Sequence, residues 1–211
     1  PTTPAAHYFV AAELERLQVG VTSVAPRFCG EFQKAIDYIG NIRQFEQEFE
    51  LHARIADTFG YRLSIHSGSD KLSVYPIISR YTQGRVHVKT AGTNWLEGLK
   101  VISLVAPNLF RELYRFAVTF FPEARKYYHV TTKPENFRDV SKLADADLPA
   151  LLNEADSRQL LHITYGGMLL FKEGNNHLFR DGIYQVLQQH EEEYAQALLT
   201  HIGAHLRALG K

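Results

Sequence analysis

Apolar positions along this chain recur with two periods, and the places where the period changes mark its elements. Residues 5–18 (AAHYFVAAELERLQ) set Tyr8 and Ala12 on one stripe with Phe9, Leu14 and Leu17 beside it, a helix that closes before Gly20. Val19 to Ala25 is a β-branched run that reads as a first strand, with Pro26 to Glu31 as its exit loop. Residues 44–59 return to helical spacing through Phe45, Phe49, His52, Ala56 and Phe59, and Gly60 stops them. Tyr61 to Ile65 alternates as a strand, Leu72 to Tyr81 has the length of a crossover, and Arg85 to Lys89 alternates again.

Downstream, Leu96, Leu99 and Ile102 mark another helix. Pro107 suits the first position of the next, which carries Leu109, Leu113, Phe116 and Phe120 and is expected to end at Pro122. Lys126 to Thr132 (KYYHVTT) reads as a fourth strand and Arg158 to Tyr165 (RQLLHITY) as a fifth, with a short helix from Leu148 to Ala155 between them. From Asp181 onward Ile183, Leu187, His190, Tyr194, Leu198, His201 and His205 form one long helical stripe. Strands alternating with helices make an α/β chain of parallel βα units, either an open sheet or part of a barrel.

The expected βαβ unit from Tyr61 to Trp95 organises the candidate chemistry. Ligands of such units collect where strands end in loops, and here the first strand runs into His66, Ser67, Gly68, Ser69, Asp70 and Lys71. His87 and Lys89, two apart on a strand, point to one face. His129 in YYHVTT and His162 in LLHITY repeat the context, each with a Thr two residues on. Such a polar face must find partners, and converging imidazoles suit Zn²⁺, Mn²⁺, Co²⁺ or Ni²⁺. Against this stand plain readings: each His singly bonded in a core, and Ser67, Asp70 and Lys71 turning the chain or capping a helix. Glu31, beside Arg27 and after Gly30, is either a general acid–base or a carboxylate favoured by a helix dipole. His201 and His205 have the i, i+4 spacing of a helical metal pair, but no Glu follows His201 as in HExxH, so a solvated face is expected there.

Composition narrows the class. The 211 residues suffice for one substantial core, so a single domain over 1–211 is expected. Lys+Arg and Asp+Glu both number 23, and this zero net charge removes the usual footprint of nucleic-acid or anionic-membrane binding. No apolar run approaches the ~18 residues that span a bilayer. Cys29, the one cysteine, forms no internal disulfide and suits a reducing, cytoplasmic setting. The opening Pro1-Thr2-Thr3-Pro4, without Met, reads as the start of a piece of something longer. Nucleophile-elbow, P-loop and dinucleotide motifs are absent from the sequence.

Five stretches, HSGSDKLSVYPI, HVKTAGTNWLEGL, RFCGEFQKAIDYIG, KYYHVTT and QLLHITYGG, resemble the tagaturonate/fructuronate epimerases of bacterial hexuronate catabolism, and the likeness runs over nearly the whole chain. The resemblance implies a TIM-like barrel longer than this chain, of which this is the C-terminal portion. It also implies a divalent metal and a small hexuronate substrate, D-tagaturonate or D-fructuronate, with homo-oligomerisation left open. The inverted carbon is β to the ketone, so enolisation does not reach it and a retro-aldol cleavage with re-addition is expected. On this resemblance His66, His87 and His129 are the expected metal ligands, and Glu31 and Lys89 the catalytic pair. Arg27, Ser67, Asp70 and Lys71 are expected to contact substrate. A sugar-acid binding module without turnover, or a related metal-dependent ketose aldolase or isomerase, are the competing readings.

Overall fold

The computed structural model describes residues 1–90 and 92–211. They gather into two compact units, one of residues 1–33, 37–90 and 204–211, the other of residues 34–36 and 91–203. The whole is α/β but mostly helical.

In the first unit, helix α1 (Pro4–Arg16) starts where Pro4 needs no N–H and the Thr3 hydroxyl accepts from Ala6 N at 3.2 Å. Helix α2 (Ile42–Thr58) is capped by Asn41, whose side chain accepts from Arg43 N and Gln44 N. It buries the stripe Phe45, Phe49, His52, Ala53 and Ala56. Strands β1 (Ser23–Val24), β2 (Arg62–Ile65) and β3 (Val86–Val88) pair in that order, all parallel, and α3 (Tyr75–Thr82) is the crossover between the last two. The expected βαβ unit is therefore present. Three parallel strands close no barrel by themselves. One face of this sheet, with Leu63 and Ile65, packs into a core with Phe45, Phe49, Val74, Tyr75 and Ile78. Each such side chain contributes about 1.5–3 kcal/mol on burial.

The second unit is helical around Leu96, Leu99, Phe110, Leu113, Tyr114, Phe121, Leu148 and Leu160. Its helices are α4 (Asn94–Val105), α5 (Pro107–Ala124), α6 (Ala155–Ile163), α7 (Tyr165–Leu170), α8 (Arg180–Gln189) and most of α9 (Glu191–Ala208), whose end belongs to the first unit. A small antiparallel hairpin, β4 (Lys172–Glu173) with β5 (Asn176–His177), was not expected. Pro122 lies inside α5 instead of ending it, the segment 145–153 is a 3-10 helix, and the expected single C-terminal helix breaks at His190.

Two expected strands are corrected. Residues 158–165 lie in helix α6 and the start of α7. Ser157, Gln159, Leu160, Leu161, His162 and Ile163 are all buried, polar and apolar alike, and a helix buried around most of its circumference loses the 3.6-residue signature. Residues 128–132 do alternate, with Val130 and Thr132 buried and His129 and Thr131 exposed, but among the described residues they are assigned to no sheet. Thr132 N donates instead to the Gln159 side chain at 3.0 Å.

A buried imidazole pair joins α1 to α2. His7 Nδ1 lies 2.8 Å from His52 Nδ1, and His7 Nε2 2.6 Å from the Tyr61 hydroxyl. Burial and then the neighbouring His52 push His7 down to about 4, and burial lowers His52 as well. Both rings are therefore neutral in the folded protein near pH 7, whereas the unfolded chain takes up their protons as pH falls through the ordinary histidine range. Stability contributed by the pair is complete above about pH 6.5 and is lost as pH falls toward 4. Urea unfolding at pH 7.5 and pH 5 should differ by about 1–3 kcal/mol in the wild type. The difference should shrink in His7→Gln; an equal pH dependence in both would remove the pair as its source.

Candidate functional site

Parallel register fixes which side chains share each face of β2 and β3. Leu63 pairs with Val86, Ser64 with His87 and Ile65 with Val88. Pairing continues past the strand ends, since Lys89 N donates to Ile65 O at 3.1 Å and Gly68 N to Lys89 O at 3.2 Å. Alternation then assigns Leu63, Ile65, Val86 and Val88 to the core face, and Ser64, His66, His87 and Lys89 to the other. Ser64 is buried while His66, His87 and Lys89 are exposed, and the Ser64 hydroxyl lies 3.3 Å from His87 Nδ1. Ser64 thereby holds one nitrogen of that imidazole.

The loop after β2 is held at several points. Ser67 (φ 50°) and Asp70 (φ 61°) adopt left-handed backbone, which short polar side chains tolerate better than most. The Tyr75 hydroxyl donates to Gly68 O, and burial raises that phenol above its ordinary value. Asp70 N donates to His205 Nε2 at 3.0 Å, and the His205 ring packs 5.6 Å from that of Tyr75. Neither Ser67 nor Asp70 caps α3, which starts behind Val74 with no side-chain cap. Lys71 is fully buried, and its Nζ donates to Gln33 O at 2.8 Å and Ser69 O at 3.0 Å. His205, expected on a solvated helix face, is 5% exposed. Its role was missed because the i, i+4 spacing was weighed only against the HExxH pattern.

Arg27 and Glu31 are exposed, in the segment after β1. Thr2 N donates to Arg27 O at 2.6 Å, and Arg27 N donates to the Thr2 hydroxyl at 3.0 Å. Glu31 forms an antiparallel bridge with Ile39, and its carboxylate accepts from Gln33 Nε2. Asp37 accepts from the Ser73 amide and hydroxyl at 2.9–3.3 Å, which fastens the same segment to the start of the crossover.

In the second unit, His129 is exposed on the extended segment before Pro134, and His162 is buried in α6. Neither is on a strand, so the expected polar face over four strands is confined to β2 and β3. Sequence reasoning also missed a buried polar group at the start of α4. His201 Nε2 lies 3.1 Å from the Thr93 hydroxyl and its Nδ1 3.3 Å from Glu97 Oε1. Thr93 is 0% and Glu97 7% exposed, so a carboxylate and a hydroxyl fix this imidazole from both nitrogens. Gly92, at φ 104°, comes so close to His162 that a Cβ there would stand 2.8 Å from the ring. The preceding Ala91 lies outside the described residues.

The family model for tagaturonate epimerase (UxaE) matches residues 1–209 of this chain. The chain belongs to the tagaturonate epimerase family. A tagaturonate/fructuronate epimerase of Thermotoga maritima is 46% identical over 210 residues, which are 99% of this chain and 43% of that protein. The fructuronate-tagaturonate epimerase of Cohnella laeviribosi has been solved in native form (TM-score 0.97, 54% identity) and with one glycerol (TM-score 0.98, 54% identity). Both match all of this chain and 43% of theirs. This chain thus spans less than half the length of these family members.

Within this member of the family, Gly68 is the residue with least freedom at the strand end. A Cβ there would lie 2.6 Å from Val88 Cγ1 and 3.0 Å from Ile65 O. Gly68→Ala should therefore cost about 1–3 kcal/mol of unfolding free energy. A denaturant midpoint unchanged from wild type would contradict the close packing of this loop on β3.

Proposed function

We propose that this chain supplies part of the active site of a metal-dependent enzyme that interconverts D-tagaturonate and D-fructuronate by retro-aldol cleavage and re-addition. The observation that carries the reading is the division of the β2–β3 surface into an apolar face in the core and an opposite face bearing Ser64, His66, His87 and Lys89. Membership of the epimerase family supports the substrate pair. In a polypeptide of the relatives' length, the three-stranded parallel sheet would be one section of a barrel wall, with the polar face inward. An enzyme of hexuronate breakdown would work in the cytoplasm.

Two imidazoles on one strand surface, one of them oriented by a hydroxyl, suit Zn²⁺, Mn²⁺, Co²⁺ or Ni²⁺. We assign His66 and His87 as ligands from this chain; His129, the third expected ligand, lies in the second unit. When bound, the cation would act as a Lewis acid toward the ketone and its neighbouring hydroxyl. Lys89, on the same face, neutralises the substrate carboxylate, with Arg27 as the second cation for that charge. Ser67 and Asp70 hydrogen-bond sugar hydroxyls from the strand-end loop. Glu31 takes the proton from the hydroxyl on the inverting carbon. That oxygen becomes an aldehyde as the adjacent carbon–carbon bond breaks, and the bonding pair stays with the ketone fragment. After the aldehyde rotates, the bond re-forms on its other face and the new alkoxide regains a proton.

Metal content and epimerase rate of His66→Ala and Lys89→Ala test this in an enzyme of the relatives' full length. His66→Ala should lose metal and at least about 10²-fold in rate. Lys89→Ala should keep its metal and raise KM roughly tenfold, about 1.4 kcal/mol of binding. Unchanged metal and rate in His66→Ala would return that residue to a purely structural role.

A further inference from the structure

The geometry points to Lys71 as a positioning residue, one that registers the Glu31 segment against the loop after β2. This rests on the proposed roles of Glu31 and His66 and adds to them the group that sets their spacing.

Lys71 is 0% exposed, with its side chain enclosed between the two segments. Its Nζ donates to Gln33 O at 2.8 Å on one segment and Ser69 O at 3.0 Å on the other. Gln33 in turn donates from Nε2 to the Glu31 carboxylate, and Ser69 lies between His66 and Asp70 in the loop. The chain of contacts therefore runs from the carboxylate proposed for proton transfer to the turn that follows a proposed metal ligand. A second attachment lies nearby, where Ser73 N and Oγ donate to Asp37 at 2.9–3.3 Å. Glu31 and Ile39 close the base of this segment by exchanging backbone bonds at 2.8 and 3.2 Å.

Stability alone is a poor reason for a lysine here. A buried ammonium carries a desolvation cost that its hydrogen bonds only offset, and an apolar side chain of similar length commonly fills such a site without loss. What an apolar replacement lacks is direction. Three donors on one nitrogen can hold carbonyls from two segments at fixed separation, and a Met in the same volume holds neither. Acid–base transfer is sensitive to such spacing, since a misplacement of about 1 Å costs on the order of 10²-fold in rate.

Lys71→Met in an enzyme of the relatives' full length tests the inference through two readouts. Amide hydrogen exchange at Glu31 and Ile39 should accelerate by about tenfold or more while α2 keeps its protection. In the epimerase assay kcat should fall by roughly 10²-fold with KM changed less than about threefold. Wild-type exchange together with wild-type kcat would overturn the positioning role. If wild type itself does not interconvert the two uronates, the functional reading fails, and the exchange measurement alone then decides whether Lys71 holds the two segments. Should Lys71→Met not fold, Ser73→Ala removes one donor from the adjacent attachment without touching the core. It should accelerate the same two amides, and unaltered exchange and kcat in that variant would overturn the inference.

Discussion

The parallel register between β2 and β3 is the constraint on which the rest depends. Side chains alternate across a strand, so once Ser64 stands beside His87, the faces of Leu63, Ile65, His66 and Lys89 follow without further choice. A shift of one residue would send the histidines into the aromatic core of α2 and the valines to the open side. The apolar face pins the register because slipping it would bury imidazole and ammonium groups against Phe45 and Phe49. Packing and chemistry are thus consequences of one alignment, and the bonds linking Ile65, Lys89 and Gly68 carry it into the loop.

Around that sheet the first unit buries an unusual set of polar groups, each tied to a segment that needs fixing. His7 and His52 join α1 to α2, Lys71 joins two loops, and His205 holds the amide of a residue in left-handed backbone. Each would be costly unsatisfied, and each meets a backbone or side-chain partner at hydrogen-bond distance. The second unit treats its Lys34–Ile36 segment in the same way. Arg158 donates to Ala35 O and Leu152 O at 2.8 Å, while Gln159 bonds Thr132 N.

How much of this was legible in the sequence depended on whether a segment has an inside and an outside. β2, β3, α2 and α3 each turn an apolar side to the core and a polar one away, so their periods survive in the residue pattern. Helix α6 is buried all round from Gln159 to Ile163, and that run of buried residues imitates a strand. Residues 128–132 have a strand's alternation but join no sheet among the described residues, and sheet membership is a tertiary fact that local pattern does not contain. Among the candidate residues, His66, His87 and Lys89 lie on or just past two paired strands, so alternation places them on one face. Burial of Lys71 and His205 was invisible, because it comes from long-range contacts with Gln33 and Asp70. The i, i+4 pair on α9 was read as solvated for want of a neighbouring Glu. Within its own unit each imidazole meets residues far away in sequence, His201 the start of α4 and His205 the loop after β2.

The central claim is that the non-core face of β2 and β3 is where the sugar acid binds. A crystal structure of an enzyme of the relatives' length with fructuronate bound tests it directly. The account predicts ligand density over Ser64, His66 and His87, with the carboxylate within hydrogen-bond distance of Lys89. A ligand seated elsewhere, with apolar side chains of the remaining polypeptide packed on that face, would contradict it.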